Sequence, residues 1–167
     1  MPAKMKRVAL VSCAARKVSR AVQTQDLYDS DLFRKSRAWA QQNADSWFIL
    51  SALHGLLPPD KVTAPYDVTL NRMPRAERQA WADRVMTELE NQITPGDTVL
   101  FLAGAKYRED LHLLLEAAGF RVEVPMRGLG IGRQLAWLKG RLMHPRKDGT
   151  DSKAESGGGW VPEGDPP

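Results

Sequence analysis

The stretch WFILSALHGLLPPD, residues 47–60, combines a core strand with polar groups that a core strand does not need. Its first four residues form a continuous apolar run, which is typical of a strand buried on both faces of a parallel sheet. Ser51, His54 and Gly55 follow at once, before two consecutive prolines. A hydroxyl, an imidazole and a flexible glycine directly after a buried strand indicate a functional site at the carboxyl end of that strand.

Three further segments resemble the strand predicted at 47–52. They are RVALVSC (7–13), DTVLFLAG (97–104) and RVEVPM (121–126), and the first two are also unbroken apolar runs. Helical patterns separate these segments along the chain. Strands that alternate with helices predict an α/β protein, here a three-layer α/β/α fold with a four-stranded parallel sheet of the Rossmann-like kind.

The helical segments carry recognisable start and stop signals. Ser30 can cap a first helix, and Pro74 suits the first turn of a second. Gly119 follows a third helix as its C-cap, and GRQLAWLKGRLM (132–143) supplies a fourth. Apolar residues at helical spacing predict the buried faces of the first three, namely Leu32, Phe33, Trp39 and Ala40; Trp81, Val85 and Leu89; and Tyr107, Leu111, Leu114, Leu115 and Ala118.

Length and composition bound the class of protein. A chain of 167 residues favours one globular domain, which we assign to residues 1–143. Residues 144–167 are rich in Gly, Pro, Ser and charge without periodicity, so we expect a disordered tail. No apolar run approaches the roughly 20 residues of a membrane span, and the N-terminus has no signal-peptide pattern. We therefore expect no membrane partner.

Net charge and cysteine content indicate the kind of partner and the cellular compartment of the protein. The net charge of +4 is compatible with a phosphate-bearing partner such as a nucleotide or nucleic acid. Cys13 is the only cysteine, which excludes an internal disulfide and favours the reducing cytoplasm. The histidines and Cys13 lack metal-ligand spacing, and no GxSxG motif occurs. We predict neither a metal nor another cofactor.

Small, cationic and hydrogen-bonding residues follow each predicted strand. Because ligands of open parallel sheets bind at the carboxyl ends of the strands, these residues are expected to share one cleft. The segment GLGIG after the last strand is only a partial match to phosphate-binding loops. The predicted substrate- and phosphate-binding residues are Ser12, Arg16, Lys17, Ser51, Gly55, Tyr66, Gly104, Lys106, Tyr107, Arg108, Arg127 and Gly130.

Three residues are candidates for catalysis, each with a simpler alternative. His54 can act as a general acid or can satisfy backbone groups in a turn. Asp67, in the connector APYDVTL (64–70), can orient water or stabilise a cation, or can close a turn. Cys13 can be a nucleophile, although free cysteines at strand ends are more often small buried hydrophobes.

The chain resembles a known family through a series of motifs in a fixed order. The motifs are LVSCAARK, LYDSDLFRKSRAWA, WFILSALHGLL, PYDVTL, FLAGAKYR and GLGIGRQLAWLK. Together they resemble a bacterial and phage family catalogued as a domain of unknown function, over about residues 7–140. The resemblance implies no activity by itself.

A more distant resemblance covers the first half of the chain. VSCAARK, a helix and a strand ending in SALHGLL are similar to the glycosylase-like domain of archaeosine synthase. That domain resembles the uracil-DNA glycosylase fold, so the resemblance implies a four-stranded parallel sheet of that kind. The chain lacks the water-activating and leucine-loop motifs of uracil-DNA glycosylases, and their catalytic residues are not carried over.

Besides cysteine-based chemistry through Cys13, which would need a lowered thiol pKa, two hypotheses of function follow. In the first, the protein is an enzyme that acts on a nucleobase, nucleotide or modified nucleic acid, including cleavage or exchange of an N-glycosidic bond. The cationic residues would hold phosphate, Tyr66 or Tyr107 would stack on the base, Asp67 would support the sugar cation and His54 the departing base. In the second, the same cleft is a non-catalytic nucleotide- or nucleic-acid-binding module, and His54 and Asp67 are structural.

Overall fold

The computed structural model describes residues 5–143, so the predicted tail at 144–167 lies outside the described residues. The longer elements alternate between strand and helix, as predicted. They are β1 (Arg7–Ser12), β2 (Val22–Gln23), α1 (Thr24–Leu27), α2 (Asp31–Asn43), β3 (Ser46–Ser51), β4 (Gly55–Leu57), β5 (Val62–Thr63), a 3₁₀ turn (Leu70–Arg72), α3 (Arg75–Glu90), β6 (Thr98–Leu102), α4 (Ala105–Ala117), β7 (Arg121–Glu123) and α5 (Ile131–Met143).

The main sheet has five strands in the order β4-β3-β1-β6-β7. The four predicted strands are present and pair in parallel. The predicted count of four is wrong for the sheet as a whole, because β4 pairs antiparallel with β3 at one edge. Three residues give too short a pattern to indicate a strand, and the reversal depends on Gly55, whose φ is +78°.

Two hydrophobic clusters share the central strand β1. Val8 and Leu10 belong to a cluster that includes residues of α3 and α4. Ala9 and Val11 belong to a second cluster that includes residues of α2 and α5. Because successive side chains of a strand point to opposite faces, the two clusters lie on opposite sides of the sheet. This two-sided burial explains the continuous apolar runs of the central strands β1, β3 and β6.

The helix signals are confirmed with small shifts in position. The Ser30 hydroxyl accepts a hydrogen bond from the Phe33 N–H at 3.1 Å and caps α2. Pro74 is the cap residue of α3 and not part of its first turn. Gly119 follows the cap residue of α4 with a φ of +94°, the left-handed conformation that glycine adopts readily. Within residues 5–143, no helix is long and apolar enough to cross a membrane.

The strand order reverses between β1 and β6. The chain leaves β1 through α2 to pair β3 on one side, and later places β6 on the other side of β1. In open parallel sheets a crevice forms at such a point, outside the carboxyl ends of the two strands. A ligand site is therefore expected among the residues that follow Ser12 of β1 and Leu102 of β6.

Candidate functional site at the carboxyl end of the sheet

A pocket of about 280 Å³ lies at the point where the strand order reverses. It is lined by the ends of β1 and β6 and by the first turns of α2, α4 and α5. Five of the predicted binding or catalytic residues line it, namely Ser12, Cys13, Gly104, Lys106 and Tyr107. The prediction that residues after different strands meet in one cleft is therefore met for the exits of β1 and β6.

A second pocket of about 260 Å³ lies on the far side of Gly104, toward β7. Its lining includes Arg108, Gly104 and Gly128, and Gln134 belongs to both pockets. The Arg108 side chain donates to the Ala103 carbonyl at 3.5 Å, which holds the guanidinium close to the end of β6. The exit of β7 thus contributes to an adjoining space and not to the first pocket.

Cys13 lies at the inner wall of the first pocket. Its thiol donates to the Tyr107 hydroxyl at 3.6 Å, and the same hydroxyl accepts the Leu70 N–H at 3.3 Å. Burial raises the pKa of Tyr107 to about 12. The Tyr107 ring is buried and packs edge-on against Trp81, and its stacking on a base stays a prediction.

A chain of hydroxyl groups lies beside Cys13, at the exit of β3. Ser51 is fully buried, and its hydroxyl donates to the Tyr66 hydroxyl at 2.8 Å. The Tyr66 hydroxyl bonds that of Tyr28 at 2.7 Å. Burial raises the pKa of both tyrosines well above the usual value. The three hydroxyls form two mutual bonds, which leaves one hydroxyl hydrogen on Tyr28 or Tyr66 without an acceptor among the described residues.

Lys17 covers this tyrosine pair. Its ammonium group lies 4.3 Å from the centre of the Tyr66 ring and 5.8 Å from that of Tyr28. Burial lowers the pKa of Lys17, and Coulombic interactions with Cys13 and Asp67 oppose the shift. The connector therefore brings Asp67 within electrostatic range of Lys17, although Asp67 is exposed and does not line either pocket.

His54 lies at the outer edge of the hydroxyl chain. Its backbone N–H donates to the Ser51 hydroxyl at 3.0 Å, and its ring packs edge-on against Tyr66 at 5.3 Å. Burial lowers the pKa of His54, and the positive charges of Lys61 and Arg84 act in the same direction. The imidazole is therefore neutral at pH 7 and can donate a hydrogen bond without carrying a charge.

Four predicted binding residues lie outside this arrangement. Arg16 has a side chain that is 84% exposed and lies 3.8 Å from Asp29. Gly55 is needed in the hairpin formed by β3 and β4, because a Cβ atom at this position would lie 2.7 Å from Glu88 Oε1. Arg127 is exposed, and Gly130 accepts the Gln134 N–H at the start of α5. None of the four lines the two pockets.

The sequence analysis did not identify the residues that reach the site only through tertiary contacts. Tyr28 precedes α2 and reaches the hydroxyl chain only through the tertiary fold. Trp81 donates from its indole N–H to the Ser51 carbonyl at 2.9 Å, besides filling the core. Ser36 lies within α2 and lines the first pocket although it is only 2% exposed. A serine among the apolar positions of a helix is the one signal that identifies Ser36 in advance.

Within residues 5–143, no three His, Cys, Asp or Glu side chains come together as a metal site would require. The chemistry available at the carboxyl end of the sheet is that of hydroxyls, one thiol, one imidazole, cationic side chains, the Asp67 carboxylate and helix N-termini.

The fold and site together define an α/β protein with a ligand-sized pocket at the reversal point of its sheet. The chain belongs to a family of unknown function, DUF6884, whose sequence profile matches residues 8–140. It is also similar to the uncharacterized protein YfjM of Bacillus subtilis (strain 168), at 29% identity over 119 residues, spanning 66% of this chain and 78% of YfjM. No solved structure matches the chain.

Proposed function

We propose that the protein is an enzyme that acts on a nucleobase or nucleotide, with cleavage or exchange of an N-glycosidic bond in modified DNA or RNA as its reaction. The observation that carries the proposal is the pocket at the reversal point, which is flanked by hydroxyls, a thiol and Lys106. Polar groups that converge on a preformed pocket are the usual features of a small-molecule site. The glycosidic chemistry itself rests on the resemblance to the archaeosine synthase domain.

The catalytic groups would act from the exit of β3, across Cys13 from the pocket. The spare hydroxyl hydrogen of the Tyr28–Tyr66 pair can donate to a carbonyl of the departing base, and the neutral imidazole of His54 can do the same. Asp67, as a carboxylate near Lys17, would stabilise positive charge that develops on the sugar. Tyr66 remains the ring that would contact the base.

The finer architecture belongs to the same proposal. Helices whose residues join clusters on both faces of the sheet support a three-layer α/β/α arrangement. The four parallel strands support a Rossmann-like or uracil-DNA-glycosylase-like core, to which β4 is added at one edge. A cytoplasmic site of action is inferred from the single cysteine.

A strand-scission assay tests the reaction. End-labelled oligonucleotides carrying uracil, 5-hydroxymethyluracil, a deazaguanine or an ordinary base are incubated with the protein and heated in alkali. We expect breaks at one modified base with the wild type and with Asp60→Asn, whose carboxylate is exposed in the preceding turn. Asp67→Asn should abolish the breaks. Absence of breaks on every substrate would refute glycosidic cleavage, and full activity in Asp67→Asn would remove that carboxylate from the mechanism.

A second candidate is the non-catalytic binding module. It is favoured by the position of His54 and Asp67, which lie outside the lining of both pockets. In this case the oligonucleotides would migrate more slowly on a native gel without being cleaved. Asp67→Asn and His54→Ala would then lower stability and binding together, whereas catalytic roles predict well-folded variants that bind without turnover.

A further inference from the structure

We propose that the pocket between β1 and β6 is a phosphate-monoester site, in which the N-terminus of α4, the hydroxyls of Ser12 and Ser36, and Lys106 bind the phosphate oxygens. The inference deepens the proposed function, because the assignment of the phosphate to a nucleotide rests on it. Ser36 was not among the residues that the sequence identified, and the phosphate is placed apart from Arg16 and Lys17.

Ser36 is the residue that first points to a ligand. It is 2% exposed, lies in the second turn of α2 and lines the pocket. Its hydroxyl has no hydrogen-bond partner among the described residues. Buried hydroxyls are almost always hydrogen-bonded, because burial without a partner is unfavourable. A ligand oxygen in the pocket would provide the missing partner.

Three helix N-termini line the pocket, and those of α2 and α4 differ in how their N–H groups are satisfied. In α2 the Ser30 hydroxyl accepts the Phe33 N–H. The cap residue of α4 is Gly104, which has no side chain to accept a hydrogen bond. The N–H groups of Ala105 and Lys106 consequently have no acceptor in the described part of the chain. Donors of this kind, at the positive end of a helix, bind anions.

The charges around the pocket favour an anion as well. In the described part of the chain, Lys106 is the only charged residue in the lining, and no carboxylate belongs to it. The donors come from three elements, with Ser12 at the end of β1, Ser36 on α2 and the first turn of α4. Donors that approach from different directions suit a tetrahedral phosphate better than a planar carboxylate.

The side chains of two predicted phosphate ligands make contacts away from the pocket. The Arg16 side chain is 84% exposed and lies near Asp29, and the Lys17 ammonium lies over the Tyr66 ring. Recognition of the phosphate would therefore rest on backbone N–H groups and hydroxyls, with Lys106 as the single cation. Phosphate in the pocket would leave the hydroxyl chain at the exit of β3 for the base.

Thermal unfolding and calorimetry with inorganic phosphate test the site, with sodium chloride at matched ionic strength as the reference. We expect phosphate to bind the full-length protein and raise its melting temperature. Ser36→Ala should weaken phosphate binding about tenfold, as expected for a hydrogen bond to a charged group. Without phosphate, its melting temperature should equal or exceed that of the wild type, because an unpartnered buried hydroxyl has been removed.

Ala105→Pro tests the helix N-terminus separately. Proline is favoured at the first position of a helix, and it removes one of the two N–H donors. Gly104 already has φ −71° and ψ 168°, the extended backbone that precedes a proline. We expect an unchanged melting temperature without phosphate and binding weakened about tenfold. Ser19→Ala and Lys139→Gln, at exposed positions outside the pocket, should bind as the wild type does.

Binding measurements with other ligands distinguish a free nucleotide from a nucleic-acid end as the source of the phosphate. A nucleoside 5′-monophosphate should bind more tightly than both its nucleoside and inorganic phosphate. An oligonucleotide with a 5′-phosphate should compete more strongly than one with a 5′-hydroxyl only if the site receives a strand end.

Several results would overturn the phosphate site. They are a wild type that phosphate neither binds nor stabilises, variants that bind like the wild type, and loss of stability in Ser36→Ala without phosphate. Failure of the site and failure of the proposed reaction are separable. Base release by a protein indifferent to phosphate refutes the site alone, and phosphate binding without base release on any oligonucleotide supports the site and refutes the reaction.

Discussion

The two ends of the parallel sheet treat their polar groups in opposite ways. At the amino end, the Asp97 carboxylate accepts the N–H groups of Lys6 and Thr94, both at 2.9 Å. The Asp45 carboxylate accepts the Arg7 N–H at 2.8 Å. These side chains close the loops that lead into the strands, and their hydrogen bonds are made within the chain.

At the carboxyl end, several hydrogen-bond donors have no acceptor among the described residues. Ser36 has no partner among the described residues, α4 has an uncapped first turn, and the Tyr28–Tyr66 pair carries a spare hydroxyl hydrogen. All of them lie at or beside the exits of the central strands. Burial alone therefore does not separate the polar groups of the proposed ligand site from the structural ones. Their unused hydrogen-bond donors do.

Asp97→Ala should produce the largest loss of stability. Asp97 is 2% exposed, and its removal leaves two N–H groups without their acceptor. We expect the free energy of unfolding to fall by about 3 kcal/mol in urea titrations. Asp60→Ala, at an exposed turn, should change it by less than about 0.5 kcal/mol. A loss as small as that of Asp60→Ala would show that the amino end is not held by this carboxylate.

Two glycine substitutions test whether each glycine serves the fold or the pocket, since the sequence predicted both as binding residues. Gly55→Ala should cost about 1–3 kcal/mol, because its φ is +78° and a Cβ would lie 2.7 Å from Glu88 Oε1. Gly104→Ala should change stability by less than about 0.5 kcal/mol, since a Cβ there has no neighbour within 4 Å. Chemical denaturation measures both. Equal losses would contradict the assignment of Gly55 to the hairpin and Gly104 to open space beside the pocket.

The three tyrosines of the chain all lie at the carboxyl end, so their ionisation reports on that end alone. Burial raises the pKa of Tyr107 to about 12 and those of Tyr28 and Tyr66 further above the usual value. Their contribution to stability is complete below pH 10 and is lost as the pH rises through 10 toward 12, because the unfolded chain ionises first.

Absorbance of the phenolate at 295 nm, followed together with circular dichroism, measures this ionisation. We expect little phenolate at pH 10 and a steep rise that coincides with unfolding. Ionisation of one tyrosine near pH 10 in the folded protein would contradict the buried hydroxyl chain.

The smallest expected effect concerns His54. Its pKa is lowered, so the folded protein binds a proton there less readily than the unfolded chain does. The associated stability is complete above pH 6.5 and falls as the pH drops below that value. Urea titrations at pH 8, 6 and 5 should show a slightly steeper decline for the wild type than for His54→Gln. An identical decline would show that the imidazole is as solvated as in the unfolded chain.

The sequence predicted the parallel part of the fold because local signals specify it. Apolar runs predicted β1, β3 and β6, the segment RVEVPM predicted β7, and Ser30 predicted the start of α2. The antiparallel strand β4 was not predictable, because three residues carry no periodic pattern. Its position depends on Gly55, which has a positive φ, and on Glu88 of α3. The Glu88 carboxylate accepts a hydrogen bond from the Leu56 N–H of β4.

The candidate site was only partly predictable for a related reason. Strand exits identified Ser12, Cys13, Gly104, Lys106 and Tyr107 correctly as neighbours, since the topology of parallel sheets fixes which ends meet. The direction of a side chain in a loop is set by its surroundings. For that reason Arg16 faces solvent, and the contributions of Tyr28 and Ser36 appear only in the folded structure.

The most direct measurement compares backbone amides at the two ends of the sheet by ¹H–¹⁵N NMR during a titration with inorganic phosphate at constant ionic strength. The amide signals of Ala105 and Lys106 should shift in a saturable manner. Those of Lys6 and Thr94, whose N–H groups already bond Asp97, should not move. Shifts at the amino end, shifts scattered over the surface, or none at all would contradict the assignment of the ligand site to the carboxyl end of the sheet.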